Sequence, residues 1–286
     1  MTERSIKSVP EFLEAVFELM PEGGLRCFRG EANSEWELKP SVMRNLRADA
    51  EANIIRELTL EAPAEFNNDK SMFHKLVRAQ HYGLPTRLLD VSLNPLVGLF
   101  FACADDDQAD AQGSVLVLDF RDIRVKYADS DTVSVLSNLA RLDDIERNKI
   151  LTNLNKIGRK EKNWGVENQE IFRSSKEIFR LVQFIRDEKP YFQNTIKPMD
   201  LIKYYFVHPA KTNSRVIAQS GAFVIAGLLK YKNTEKAYSF KLNRINIESN
   251  NKKKILNELD KININHRTMF PEIEFTSRYI KQKWKK

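Results

Sequence analysis

The chain has 286 residues, of which 42% are hydrophobic and 10% aromatic, enough for one large packed domain and too apolar for disorder over most of its length. The opening MTERSIKSVPEFLEAVFELM is charged and then amphipathic, unlike a secretory leader, and no run approaches the ~20 apolar residues of a membrane helix. The formal charge of +7 is local: residues 241–286 hold 12 Lys/Arg against 5 Asp/Glu, and the other 240 residues hold 34 of each.

Val9, Phe12, Leu13, Val16, Phe17 and Met20 recur at spacings of three and four, which predicts an amphipathic helix stopped by PEGG. LRCFRG then reads as a strand ending at Gly30, and EWELKPS as a second extended piece. Residues 51 to about 68 are helical with a bend at Pro63. SMFHKLVRAQHYG is a further helix, and Gly83 suits the position just past its end. After a TRLLDV strand, Asn94 caps and Pro95 begins a buried helix, LVGLFFACA. DDDQADAQG is a polar turn, and GSVLVLDF has the continuous apolar character of an inner strand.

Residues 121–200 are charged and poor in glycine, and they predict a helical insertion covering one side of the core. YYFVHP and GAFVIAG return to strand composition, and KKKILNELDKININ is helical. The expected class is α+β, with a small mixed or antiparallel sheet. Cys27 and Cys103 are too few for a disulfide scaffold and lack metal-ligand spacing, so two reduced thiols and a cytoplasmic protein are expected.

Glycine-rich phosphate loops, the G-x-S-x-G elbow and the H-E-x-x-H zinc motif are missing, and the four histidines are scattered. What stands out is polar residues set among apolar ones: Arg29 with Gly30; Gln80, His81 and Tyr82 with Thr86, Arg87 and Asp90; Arg215 with Gln219. Buried charge survives only when paired and hydrogen-bonded. Arg87 and Asp90 are near enough in sequence to pair, with Arg29 sharing the carboxylate. They fit a structural staple or the floor of a pocket, and the sequence leaves both open.

FRGE, then W-x-L-x-P-S-x-x-R from Trp36 to Arg44, AQHYGLPTRLLD with NP and LFFA, R-x-x-x-Q-x-G-x-F from Arg215 to Phe223, and finally TMFPEI together resemble the bacterial FRG domain. The resemblance spans about residues 6–280 except the central helical region, so residues 1–286 are expected to be a single FRG-type domain. It implies a toxin or effector of anti-phage defence.

A more distant likeness is to arginine-type ADP-ribosyltransferases, in which an early strand carries an arginine and a polar strand end leads into an N-P helix. Arg29, Ser92 and Asn94-Pro95 match that order. The likeness implies that NAD is bound by Arg29, Gly30, His81, Tyr82, Thr86, Arg87 and Ser92, with Arg29, Asp90 and Gln219 central to catalysis. The guanidinium would neutralise the pyrophosphate and hydroxyls would hold the ribose. Where that family carries its glutamate this chain has Asn213-Ser214-Arg215, and Gln219 is no general base, leaving Glu31 and Asp90 as candidate carboxylates.

Each residue also has a structural reading: His81 as a helix-end hydrogen-bonder, Tyr82 as rim packing, the glycines as backbone geometry, Gln219 as a partner for a carbonyl. Two other functions stay open. One is nucleic-acid binding through the basic segment 241–286, and the other is a sensor or interaction module that captures a partner without turnover.

Overall fold

The computed structural model of the protein describes residues 4–21, 23–158, 161–211, 213–229, 240–273, 277, 280, 281 and 284. Among them, eight strands form one sheet. In spatial order they are β1 (Arg4–Ile6), β8 (Lys241–Ile247), β4 (Gly113–Phe120), β2 (Leu25–Glu31), β3 (Leu88–Ser92), β7 (Gly221–Ala226), β6 (Tyr204–His208) and β5 (Val125–Tyr127). The outermost pairs, β1–β8 and β5–β6, are parallel and the others antiparallel, so the α+β class holds with a mixed sheet. β2 and β3 share a single paired position, Phe28 with Ser92, whereas β2 pairs with β4 at seven. The sheet therefore opens in its middle, between the two strands that carry Arg29 and Asp90.

Alternation along the strands separates two apolar layers. On one side, Phe28, Val115, Val117, Ile245 and Ile247 pack against α1 (Val9–Glu18), α5 (Pro95–Cys103) and α11 (Ser249–Lys261). Leu88, Phe223, Ile225, Tyr205 and Val207 pack against a second helical group, which includes α4 (Met72–His81). Their neighbours in sequence, Cys27, Leu116, Leu118, Leu89, Val91 and Val224, form the other layer with Leu38.

The helix boundaries follow local chemistry. Ser8 and Ser71 cap α1 and α4, and Asn94 Oδ1 accepts the Leu96 N–H at 3.0 Å with Pro95 in the first turn of α5. Gly83 takes φ +82° just beyond α4. α2 (Ala50–Glu61) stops before Pro63, which opens the short α3 (Pro63–Phe66). Between residues 121 and 200 lie α6 (Asp131–Asn138), α7 (Asp144–Ile157), α8 (Val166–Arg173) and α9 (Lys176–Arg186), and their apolar faces build the largest core cluster. No helix among the described residues is long and apolar enough to cross a membrane.

Several expectations need correction. Phe17 and Met20 are each 78% exposed, so the apolar stripe of α1 ends at Val16. EWELKPS forms no strand: Leu38 is buried and Trp36 half exposed on an irregular loop. β1, β5 and β8 lie where no strand was expected. In the basic segment, Lys252 is 3% exposed and its Nζ donates to the carbonyls of Ala32 and Gln108, both at 2.7 Å. KQKWKK lies mostly outside the described residues.

Candidate functional site

Over the opening between β2 and β3 the two helical groups leave a cleft of about 530 Å³, within the range of small-molecule sites. Its floor includes Phe28, Gly30, Asp90, Ser92 and Phe223. α4 contributes Val77, Gln80 and His81, α5 contributes Phe100 and Phe101, and α10 (Ser214–Ala218) contributes Arg215 with Gln219 just after it. Phe270, following α12 (His266–Met269), completes the walls, with Arg215 stacked at 4.6 Å from its ring centroid.

Asp90 is the one exposed residue of β3, whose burial alternates with nothing: two buried residues stand on each side of it. A carboxylate exposed in the middle of a central strand requires a cavity above it. Gln80 Nε2 donates to Asp90 Oδ2 at 2.6 Å, and the buried Thr86 hydroxyl donates in turn to Gln80 Oε1. Thr86 is itself fixed, accepting the Leu88 N–H at 3.1 Å. This relay holds the carboxylate at one angle without neutralising its charge.

Arg29 reaches across the gap, donating from Nη1 to the Asp90 carbonyl at 2.9 Å. It replaces a ladder bond lost where the strands diverge, and its Nε lies 3.4 Å from Glu31 Oε1. The Glu31 side chain is fully buried and Oε2 has no hydrogen-bond partner, although Arg244 stands 3.9 Å away. Burial raises the Glu31 carboxyl above its ordinary value, and the nearby Arg29, Arg244 and Arg44 oppose that rise. Arg44 closes the W-x-L-x-P-S-x-x-R motif; its part in this cluster was not read from the sequence.

Arg29, Gly30, His81, Asp90, Ser92 and Gln219 all line the cleft. Most have structural work as well. Ser92 Oγ donates to the Gln219 carbonyl at 2.7 Å and accepts the Asn94 N–H at 2.9 Å, so it is engaged on both sides. Gln219 Nε2 donates to the Met269 carbonyl at 3.0 Å and ties α10 to α12. At Gly30 an added Cβ would lie 2.1 Å from the Gly98 carbonyl oxygen, which explains the glycine by the approach of α5. His81 Nε2 stands 3.8 Å from Glu272, within the TMFPEI segment.

Thr86, Arg87 and Tyr82 do not line the cleft. Tyr82 is 55% exposed and donates its hydroxyl to Glu65 at 2.8 Å. The expected Arg87–Asp90 pairing is corrected: Arg87 Nε donates to Glu51 Oε1 at 2.7 Å, its Nη1 to the Ala226 carbonyl at 3.2 Å. Residues three apart on an extended chain point to opposite sides. The arginine therefore serves as the staple and the aspartate faces the cleft.

Residues 25–111 match the family model of the FRG domain, and the chain carries an FRG domain there. The match takes in Arg29, Gln80, Asp90 and the α5 wall, and leaves out α10 and α12 from the other side of the cleft. The comparisons with curated proteins and with solved structures find no match.

Proposed function

We propose that the cleft is the reaction site of an ADP-ribosyltransferase-like enzyme that uses NAD to modify a macromolecule, and that the protein is a toxin or effector of bacterial anti-phage defence. The observation that carries the enzymatic reading is the exposed, oriented carboxylate of Asp90 on the floor of a cleft with aromatic side chains in its walls. The defence setting rests on the family resemblance alone.

NAD would supply the glycosidic bond whose cleavage releases nicotinamide and passes ADP-ribose to a nucleophile. The residues present suit such a molecule in three respects. Phe28, Trp36 and Phe270 offer flat apolar walls for its rings. Arg29 and Arg215 are the lining guanidiniums that would hold its phosphates. Asp90 provides a fixed negative charge for a cationic ribosyl centre and a base for the proton of the incoming nucleophile. The Ser92 hydroxyl, already engaged, is left out of ribose binding, and Gln219 serves to position α12.

The test is transfer of label from NAD to components of a bacterial lysate, with and without phage infection, comparing wild type, Arg29→Ala and Asp90→Asn. Wild type should bind NAD and transfer label. Asp90→Asn should lose roughly 10²-fold or more in transfer while still binding NAD. Absence of NAD binding and of transfer by the wild type would sink the proposal; binding without nicotinamide release would make the cleft a sensor.

A further inference from the structure

A second cavity, of about 460 Å³, lies at the β5–β6 edge of the sheet and shares no lining residue with the first. Its apolar wall includes Trp164, Phe192 and Met199, and its charged lining residues are mostly basic. We propose that it binds a phosphate monoester carried on a flat apolar group.

The charge balance carries the argument. Of the acids lining the cavity, Asp131 is paired with Lys189 at 2.9 Å and Asp200 lies 3.6 Å from Arg124. Lys126 and Lys197 also line it, so the rim keeps a surplus of positive charge. Arg124 is itself buried, donates from Nη1 to the Tyr205 hydroxyl, and its buried Nε has no hydrogen-bond partner. Tyr205 adds no compensating negative charge. Burial, and then the neighbouring Asp200, raise its phenol far above the ordinary value, so it stays neutral and donates to Asp200.

A buried guanidinium with an unsatisfied Nε, in a cavity also lined by Lys126 and Lys197, favours an anion. Lysines act as mobile point charges that suit a compact dianion, whereas the Arg124 fork is held by internal partners. The ring wall and the volume favour a small aromatic group behind the phosphate.

The experiment titrates the full chain with phenyl phosphate in a calorimeter, with benzoate and benzyl alcohol as the carboxylate and neutral counterparts. Phenyl phosphate should bind wild type and Arg29→Ala alike, and should weaken roughly tenfold or more in Lys126→Gln/Lys197→Gln. Circular dichroism checks that the double variant is folded; Lys197→Gln alone, at an exposed position, should give a smaller loss in the same direction. Benzyl alcohol should not bind, and benzoate should bind more weakly. No heat with wild type, equal affinity in the lysine variants, loss in Arg29→Ala instead, or benzoate matching phenyl phosphate would each overturn the proposal.

Discussion

At Glu51 one carboxylate, 3% exposed, accepts from Arg87 Nε at 2.7 Å and from Arg147 Nη1 at 2.6 Å. Glu51 lies on α2, Arg87 immediately before β3 and Arg147 on α7, so the ion cluster joins the FRG-matched region to the helices that follow it. Removing the shared charge leaves the buried Arg87 guanidinium beside the partly buried Arg147 with no counter-charge between them. Glu51→Gln should therefore cost about 3–5 kcal/mol of stability in urea denaturation. Asp90→Asn, at an exposed carboxylate whose partner Gln80 can still donate to the amide oxygen, should stay within about 0.5 kcal/mol of wild type. Equal losses at the two positions would show that Asp90 is also a structural residue. The sequence signalled that Arg87 and Asp90 needed partners, but Glu51 lies 36 positions before Arg87, a separation that no local pattern reports.

The crossing of α5 over β2 depends on two glycines. A Cβ on Gly30 would meet the Gly98 carbonyl at 2.1 Å, and one on Gly98 would touch Phe28 Cβ at 3.0 Å. Gly30→Ala should push the helix off the strand and lower stability by about 1–3 kcal/mol, with a change in ligand affinity because Phe28, Gly30 and Gly98 all line the cleft. An unchanged urea midpoint would refute the close-packed crossing. Elements with strong local grammar were legible: the Asn94-Pro95 start, the Gly83 stop, the break at Pro63 and the all-buried β4. β1 and β5 were not, because three residues are too few to show an alternating pattern. β8 was hidden by its own polar residues, since Asn243, Arg244 and Asn246 interrupt the buried Ile245 and Ile247.

Across the whole molecule, the cleft joins the FRG-matched residues, which end at 111, to α10 and α12, which begin at Ser214 and His266. The sequence motifs named most of these residues, but only the fold shows that they meet. The same sheet couples the apolar layers, because adjacent residues of β2 and β4 point into different ones: Cys27 and Phe28, Leu116 and Val117. A strand cannot lose one layer and keep the other, so both should unfold together. The two thiols test this, with Cys27 in one layer and Cys103 in the other. Both are buried, and burial pushes them up, Cys103 to about 12 and Cys27 well above the ordinary value. At neutral pH neither is accessible or ionised, and a thiol reagent should label neither in the native protein and both in denaturant. Labelling followed by mass spectrometry across a urea series should give the two cysteines one midpoint, coincident with the loss of circular dichroism. Exposure of Cys103 at distinctly lower urea than Cys27 would mean that α5 and its layer detach first and that the sheet does not bind the two layers into one cooperative unit.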